Sequence, residues 1–241
     1  MSVAAIIPAR YASSRLPGKP LLAETGMPLI QHVYERVAQV DEIGQVVVAT
    51  DDERILAAVR QFSGKAVMTR PDHLTGTDRI AEVAKELDAT LIINVQGDEP
   101  EISPTHLQAL IRRMGDGARM GTLACPFDQN EDASDPNTVK VVIDQQGRAL
   151  YFSRALIPFA RDSAVLINPQ LHIGVYAYRR DFLLEFANWM PTPLEQTEKL
   201  EQLRALEMGV PIEVVVVSHA APGIDTPEDY AAFVRRFTQD S

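Results

Sequence analysis

The feature that most limits the fold is a change of period that repeats through the first hundred residues. Ala4–Ile7, Gln45–Ala49 and Leu91–Val95 are short, apolar and rich in β-branched residues, as strands buried on both faces are. Segments of helical period alternate with them. Pro28–Val40 repeats apolar side chains at Leu29, Ile30, Val33, Val37 and Val40, and Glu53–Phe62 and Ile80–Leu87 read the same way. Thr50-Asp51-Asp52 supplies capping side chains directly after a strand, as a βα junction requires. This rhythm predicts an α/β fold, a mostly parallel sheet with helices on both faces.

The second half is less regular. Val139–Ile143 and Arg148–Ser153 flank Asp144-Gln145-Gln146-Gly147 and predict a hairpin. His172–Tyr178 and Ile212–Val217 read as strands, Glu195–Met208 as one helix, and Thr226-Pro227-Glu228 as the start of a terminal helix. No linker composition or repeat interrupts the chain, so one unit over 1–241 is expected, with an antiparallel insertion at about 120–185.

A net charge of −10 speaks against nucleic acid or anionic lipid as a partner, and no apolar run near the start is long enough for a leader or a span. Cys125 is the single cysteine, which points to a reducing, cytoplasmic setting. The distribution of charge says more. No acid precedes Glu24, whereas Arg10, Arg15 and Lys19 give that stretch +3 and leave −13 for the rest. These cations lie in Pro8-Ala9-Arg10-Tyr11-Ala12-Ser13-Ser14-Arg15-Leu16-Pro17-Gly18-Lys19-Pro20, which leaves the first strand at its carboxyl end, where open α/β sheets bind ligands. Small residues let backbone N–H groups approach an anion, and a triphosphate fits the charge. The segment has no G-x-G-x-x-G, and Pro20 after Gly18-Lys19 excludes a Walker A loop.

IIPARYASSRLPGKPL resembles the opening signature of the 3-deoxy-manno-octulosonate (Kdo) cytidylyltransferases. MTRPDHLTGTDR at 68–79, NVQGDEP at 94–100, DPNTVKVV at 135–142, LYFSRALIPF at 150–159, HIGVYAYR at 172–179, LEQLRALE at 200–207 and GIDTPED at 223–229 follow in the family's order. The resemblance implies CTP and Kdo as substrates, CMP-Kdo and pyrophosphate as products, Mg²⁺ as cofactor, a nucleotidyltransferase-like fold and a homodimer. Lipopolysaccharide or capsule synthesis would be the setting. Leu171 stands where the family usually has a cation, and Pro71 and Leu74 vary the 68–79 segment.

On the nucleotide side the resemblance implies Pro8, Ala9, Arg10, Arg15, Lys19, Arg70, Thr75, Gly76, Arg79 and Asp98, with Arg10, Arg15, Lys19 and Asp98 catalytic. Asp98 and Asp225 are implied as the Mg²⁺ pair, which suits an ion that takes one or two carboxylates plus phosphate oxygens and water. Read alone, Asp225 ahead of Thr-Pro-Glu-Asp is also a helix-capping arrangement. Gln96, Arg154, His172, Tyr176, Glu198 and Gln202 are implied on the sugar side. Glu198 and Gln202 are four apart and would share one helical face. Glu99 reads as a supporting acid, and Cys125 and Trp189 as packing residues. No nucleophilic His or Cys is required, so the expected chemistry is direct in-line displacement. Two rivals are the same chemistry on an 8-amino Kdo or a sialic acid, and a non-catalytic nucleotide-binding protein.

Overall fold

The computed structural model describes residues 1–12, 15–115, 117–128, 131–162 and 168–239. It is a mixed α/β fold whose mostly parallel sheet is flanked by helices. The chain gathers into two compact units. One is Met1–Gln108 with Ala221–Ser241, the other Ala109–Ala220, and the stretch 120–185 lies within the second.

The first unit holds β1 (Val3–Ala9), α1 (Leu29–Ala38), β2 (Gln45–Thr50), α2 (Glu53–Gln61), β3 (Ala66–Met68), α3 (Gly76–Ala84) and β4 (Leu91–Asn94). The boundary between the units falls within α4 (Pro104–Arg113). The strands run in the order β3-β2-β1-β4, all parallel, with Ile6 level with Val47 on one side and with Asn94 on the other. Ile6, Ile7, Val48, Ile92 and Ile93 are fully buried. Sequestering each such side chain contributes about 1.5–3 kcal/mol, which is why continuous apolar runs suffice to specify these strands. Asp52 caps α2 by accepting from Arg54 N, and Thr75 and Asp78 form a reciprocal capping box on α3. The helix expected at Ile80–Leu87 thus begins four residues earlier and ends at Ala84.

The second unit contains β5 (Met120–Pro126), β6 (Lys140–Ile143), β7 (Ala149–Ser153), β8 (Gln170–Arg179), α5 (Arg180–Phe186), α6 (Pro193–Glu198), α7 (Gln202–Glu207) and β9 (Ile212–Val216). β5 is antiparallel to β8 and parallel to β9. The β6–β7 hairpin forms as expected. Gly147 takes φ +80, and Asp144 Oδ1 accepts from the backbone N–H groups of Gln146 and Arg148. Trp189 meets Phe182 and Phe186 edge-on at 5.7 and 5.6 Å, and buried Cys125 has its thiol pushed up to about 11 by desolvation, so both pack as expected. The expected helix over Glu195–Met208 is corrected to two, because Lys199 sits in the left-handed region at φ 55 between α6 and α7.

α8 (Pro227–Gln239) returns the chain to the first unit. Its Tyr230 and Phe233 join Leu29 and Ile224 in one buried cluster, against which Leu16 and Leu22 also pack. That cluster fixes the segment before α8 and the chain around Lys19 against α1.

Candidate active site

β1 and β4 are parallel neighbours, so the segments that follow them leave from the same end of the sheet. Gly97 makes this close approach possible, since a Cβ there would lie 3.0 Å from the Pro8 carbonyl oxygen. The Ile224 N–H donates to the Asp98 carbonyl at 3.0 Å and draws in the segment ahead of α8. A cleft of about 420 Å³ results, lined by Pro8, Ala9, Arg10, Arg15, Lys19, Gln96, Asp98 and Asp225 among others.

Lys19 is the centre of the charge array. Its ammonium lies 2.7 Å from Asp98 Oδ2, 2.6 Å from the Ile224 carbonyl and 3.5 Å from Asp225 Oδ1. The first two are hydrogen bonds, and they hold an otherwise flexible side chain in one place. Arg15 Nη2 adds a bond of 3.2 Å to Asp225 Oδ2. Both partners of that pair are more than half exposed, which limits it to about 0–1 kcal/mol. Arg10 is exposed at the end of the strand. Three cations against two carboxylates leave the cleft cationic on a protein of net charge −10. Beside Asp98, the Glu99 carboxyl is pushed up to about 8 by desolvation and then by the Asp98 charge.

Asp225 does not cap α8. Thr226 Oγ1 accepts from Asp229 N at 3.2 Å, and Asp229 Oδ2 accepts from Thr226 N at 2.9 Å and from Asp225 N at 3.1 Å. The capping box therefore belongs to Thr226 and Asp229, and the Asp225 carboxylate faces the cations of the cleft.

The 68–79 segment divides. Thr75 and Gly76 open α3, and a Cβ on Gly76 would lie 3.7 Å from Pro8 Cγ, which puts this helix start against the strand end that feeds the cleft. Arg70 is exposed and lies 3.5 Å from Asp72 and 3.8 Å from Glu82. Arg79 is 1% exposed, with Nη2 on Asp51 Oδ2 at 2.7 Å and Nη1 on Thr69 Oγ1 at 2.5 Å. Its guanidinium ties α3 to the ends of β2 and β3. Asp51, read in the sequence only as a capping residue, is its partner; a contact 28 positions away leaves no local signal.

The second unit brings the remaining residues into polar contacts of its own. Glu198 accepts from Ser153 Oγ at 2.6 Å and from Arg154 N at 3.0 Å, while Arg154 Nε donates to the Glu198 carbonyl at 2.8 Å and Nη1 to the Pro136 carbonyl at 2.9 Å. Glu198 is thus a lock on Arg154 and not a solvated helix residue. Buried Lys140, which the sequence reading passed over, gives its ammonium to the carbonyls of Asp135, Thr138 and Arg154 at 3.0, 2.9 and 2.5 Å.

A register shift between Thr122 and Leu123 leaves Gly174 and Val175 of β8 as two extra residues, so that Tyr176 and Ile173 stand opposite consecutive residues of β5. The Thr122 hydroxyl reaches the carbonyls of Val175 at 2.8 Å and Ile173 at 3.2 Å, and His172 Nε2 at 3.0 Å. Its one proton is engaged with a carbonyl, so Thr122 accepts from His172, which carries its hydrogen on Nε2. Desolvation lowers His172 to about 3 and keeps it neutral, and it raises the Tyr176 phenol as well. The two rings lie 5.5 Å apart. Gln202 is 4% exposed and its Nε2 has no partner among the described residues. With Lys199 left-handed, Glu198 and Gln202 do not share a helical face as expected.

Among the described residues no helix is long and apolar enough to cross a membrane. The family model described as Cytidylyltransferase matches residues 4–212. The chain is 53% identical to the 3-deoxy-manno-octulosonate cytidylyltransferase of Syntrophotalea carbinolica, over 95% of this chain and 96% of the relative, and 51% identical to that of Geobacter sulfurreducens with the same coverage. It superposes on a solved CMP:2-keto-3-deoxy-manno-octonic acid synthetase complexed with CTP with a TM-score of 0.96, at 44% identity and 100% coverage of both chains. A 4-diphosphocytidyl-2C-methyl-D-erythritol synthase from Anaerococcus prevotii, 18% identical with TM-score 0.63 and covering 99% of this chain and 96% of its own, shares the fold. This chain belongs to the 3-deoxy-manno-octulosonate cytidylyltransferase family.

Proposed function

We propose that the protein transfers the cytidylyl group of CTP to Kdo, giving CMP-Kdo and pyrophosphate for lipopolysaccharide or capsule synthesis. The observation that carries this is the Lys19-centred cleft at the carboxyl ends of two parallel strands, in a chain 53% identical to a named relative. CTP occupies the first unit's cleft, its phosphates against Arg10, Arg15 and Lys19, with Pro8, Ala9, Thr75, Gly76 and Arg70 shaping the nucleotide side. Arg79 acts at one remove, by holding α3. The sugar takes Gln96, Arg154, His172, Tyr176, Glu198 and Gln202.

An attacking sugar hydroxyl approaches an α-phosphate shielded by negative oxygens. The three cations lower that repulsion and stabilise pyrophosphate as it leaves, and removing one such group commonly costs about 10²–10³ in rate. No covalent enzyme intermediate is required. The carboxylates of Asp98 and Asp225 converge on a single cation, the Lys19 ammonium, so the donor set fits Mg²⁺ completed by phosphate oxygens and water. Bound there, Mg²⁺ supplies charge neutralisation on the phosphates. Exposed Leu150, Leu156 and Phe159, the last 87% exposed, support a homodimer, and the single cysteine supports a cytoplasmic setting.

Incubating the full chain with CTP, MgCl₂ and a panel of 2-keto-3-deoxy acids, while following pyrophosphate, tests this. Pyrophosphate release only with Kdo and CTP is the expected result. Equal turnover of ATP overturns the nucleotide assignment, and release with another acid but not Kdo overturns the sugar.

A further inference from the structure

α2 begins with an arginine folded back on its own cap. Asp52 Oδ1 accepts from Arg54 N and Nε, both at 2.9 Å, and Oδ2 accepts from Arg54 Nη2 at 2.6 Å. The two parallel side-chain bonds fix the plane of the guanidinium. They also hold the Asp52 carboxyl below its ordinary range and raise Arg54 further. The guanidinium lies over the Tyr11 ring, its ζ carbon 3.3 Å from the centroid. Tyr11 follows Arg10, and its carbonyl accepts from Gly18 N at 3.0 Å. Gly18 takes φ +72, and a Cβ on it would lie 3.2 Å from the Tyr11 ring; the next residue is Lys19. Neither Arg54 nor Tyr11 lines the cleft. The ring therefore has the guanidinium on it, and the same residue's carbonyl holds Gly18, so Tyr11 joins the positions next to Arg10 and Lys19 on either side of Arg15.

We infer that Asp52, Arg54 and Tyr11 form a clasp that sets the cationic loop in its nucleotide-receiving shape, with Arg54 and Tyr11 as positioning residues. Without the clasp, the loop must be ordered when the anion arrives, and binding is weakened by that cost. Lysine cannot replace Arg54, because a point charge supplies neither the paired bonds to Asp52 nor a plane to stack. The inference rests on the CTP reading for its kinetic consequence but not for its structural one.

The test uses the full chain with Arg54→Ala, Arg54→Lys, Tyr11→Leu, Tyr11→Phe and the double variant Arg54→Ala/Tyr11→Leu. All are kept only where their melting curves overlay the wild type's. Pyrophosphate release under CTP titration gives KM and kcat, and hydrogen–deuterium exchange without nucleotide follows the peptide spanning Tyr11 to Lys19. Arg54→Ala, Arg54→Lys and Tyr11→Leu should each raise KM for CTP about two- to fivefold, the factor expected for an exposed cation–π pair. Each should leave kcat within about twofold and speed exchange in that peptide. Tyr11→Phe, which keeps the ring, should behave as wild type, and the double variant should be no worse than either single one. Unchanged exchange in Arg54→Ala, or single effects that multiply in the double variant, overturns the clasp. If the wild type makes no pyrophosphate from CTP and Kdo, the functional reading fails and the exchange experiment alone decides the clasp.

Discussion

Asp225 stands one position ahead of the residue that caps α8, and that single step separates two roles. Thr226 and Asp229 satisfy the helix start between them, so neutralising Asp225 removes no cap. Its loss of pairing is small too, because the bond to Arg15 is solvent-exposed and the Lys19 ammonium lies 3.5 Å away. Asp225→Asn is therefore expected to leave the melting temperature nearly unchanged while turnover falls about 10²–10³-fold. Thr226→Ala should do the reverse, lowering stability by about 1 kcal/mol and leaving kcat intact. Paired thermal melts and pyrophosphate assays decide, and a destabilised but active Asp225→Asn would return that acid to a structural role. His172 gives a pH prediction of the same scale. Its folded value is about 3 against an ordinary 6.5. Between those values the unfolded chain binds a proton that the folded protein refuses. Stability due to this group is therefore complete above about pH 6.5 and is lost as the pH falls, by up to about 1.4 kcal/mol per unit. His172→Gln should flatten the acid limb of a stability–pH curve. A limb of unchanged slope would mean that His172 titrates in the native protein.

At the scale of elements, α6 and α7 show how a good helical pattern can break. A straight helix would separate Glu195 and Arg204 by about 13–14 Å along its axis. Instead Arg204 Nε and Nη2 bond the Glu195 carboxylate at 2.8 and 2.7 Å, with Arg204 only 4% exposed, and Lys199 takes the left-handed conformation that permits the fold-back. An ion pair nine residues apart has no local signature, whereas the Leu200, Leu203 and Leu206 repeat does. Arg204→Ala strands a poorly exposed carboxylate and should cost about 3–5 kcal/mol in denaturant unfolding, more than Lys199→Gly by a wide margin. A loss below about 1 kcal/mol would show that the pair does not hold the bend. Leu107, Leu110, Ile111 and Met114 do recur at helical spacing, and they form the buried face of α4 and its end. By contrast β1, β2 and β4 were legible because parallel strands buried on both faces are written as unbroken apolar runs.

For the whole molecule, the cationic loop, Asp98 and Asp225 were readable because charge contrast and strand ends are sequence properties, while the partners of Arg79, Arg154 and Lys140 come from distant segments. The assigned groups also sort by unit. Every residue given to CTP lies within Met1–Gln108 or Ala221–Ser241, and every residue given to the sugar except Gln96 lies within Ala109–Ala220. This division makes a prediction that neither unit makes alone. His172→Ala removes a neutral imidazole held by Thr122 and packed 5.0 Å from Phe152, both in the second unit. It should raise KM for Kdo about tenfold or more, since a site built to hydrogen-bond hydroxyls loses one partner and leaves others unpaired. Calorimetric CTP affinity should remain within about twofold, because uniform nucleotide binding is untouched. Leu171→Arg places a cation where Leu171 stands half-buried on β8, and should lower KM for the anionic sugar without altering CTP affinity. Calorimetry with CTP beside Kdo titrations for wild type, His172→Ala and Leu171→Arg reads both effects. Loss of CTP binding in a folded His172→Ala protein would end the assignment of nucleotide and sugar to separate units.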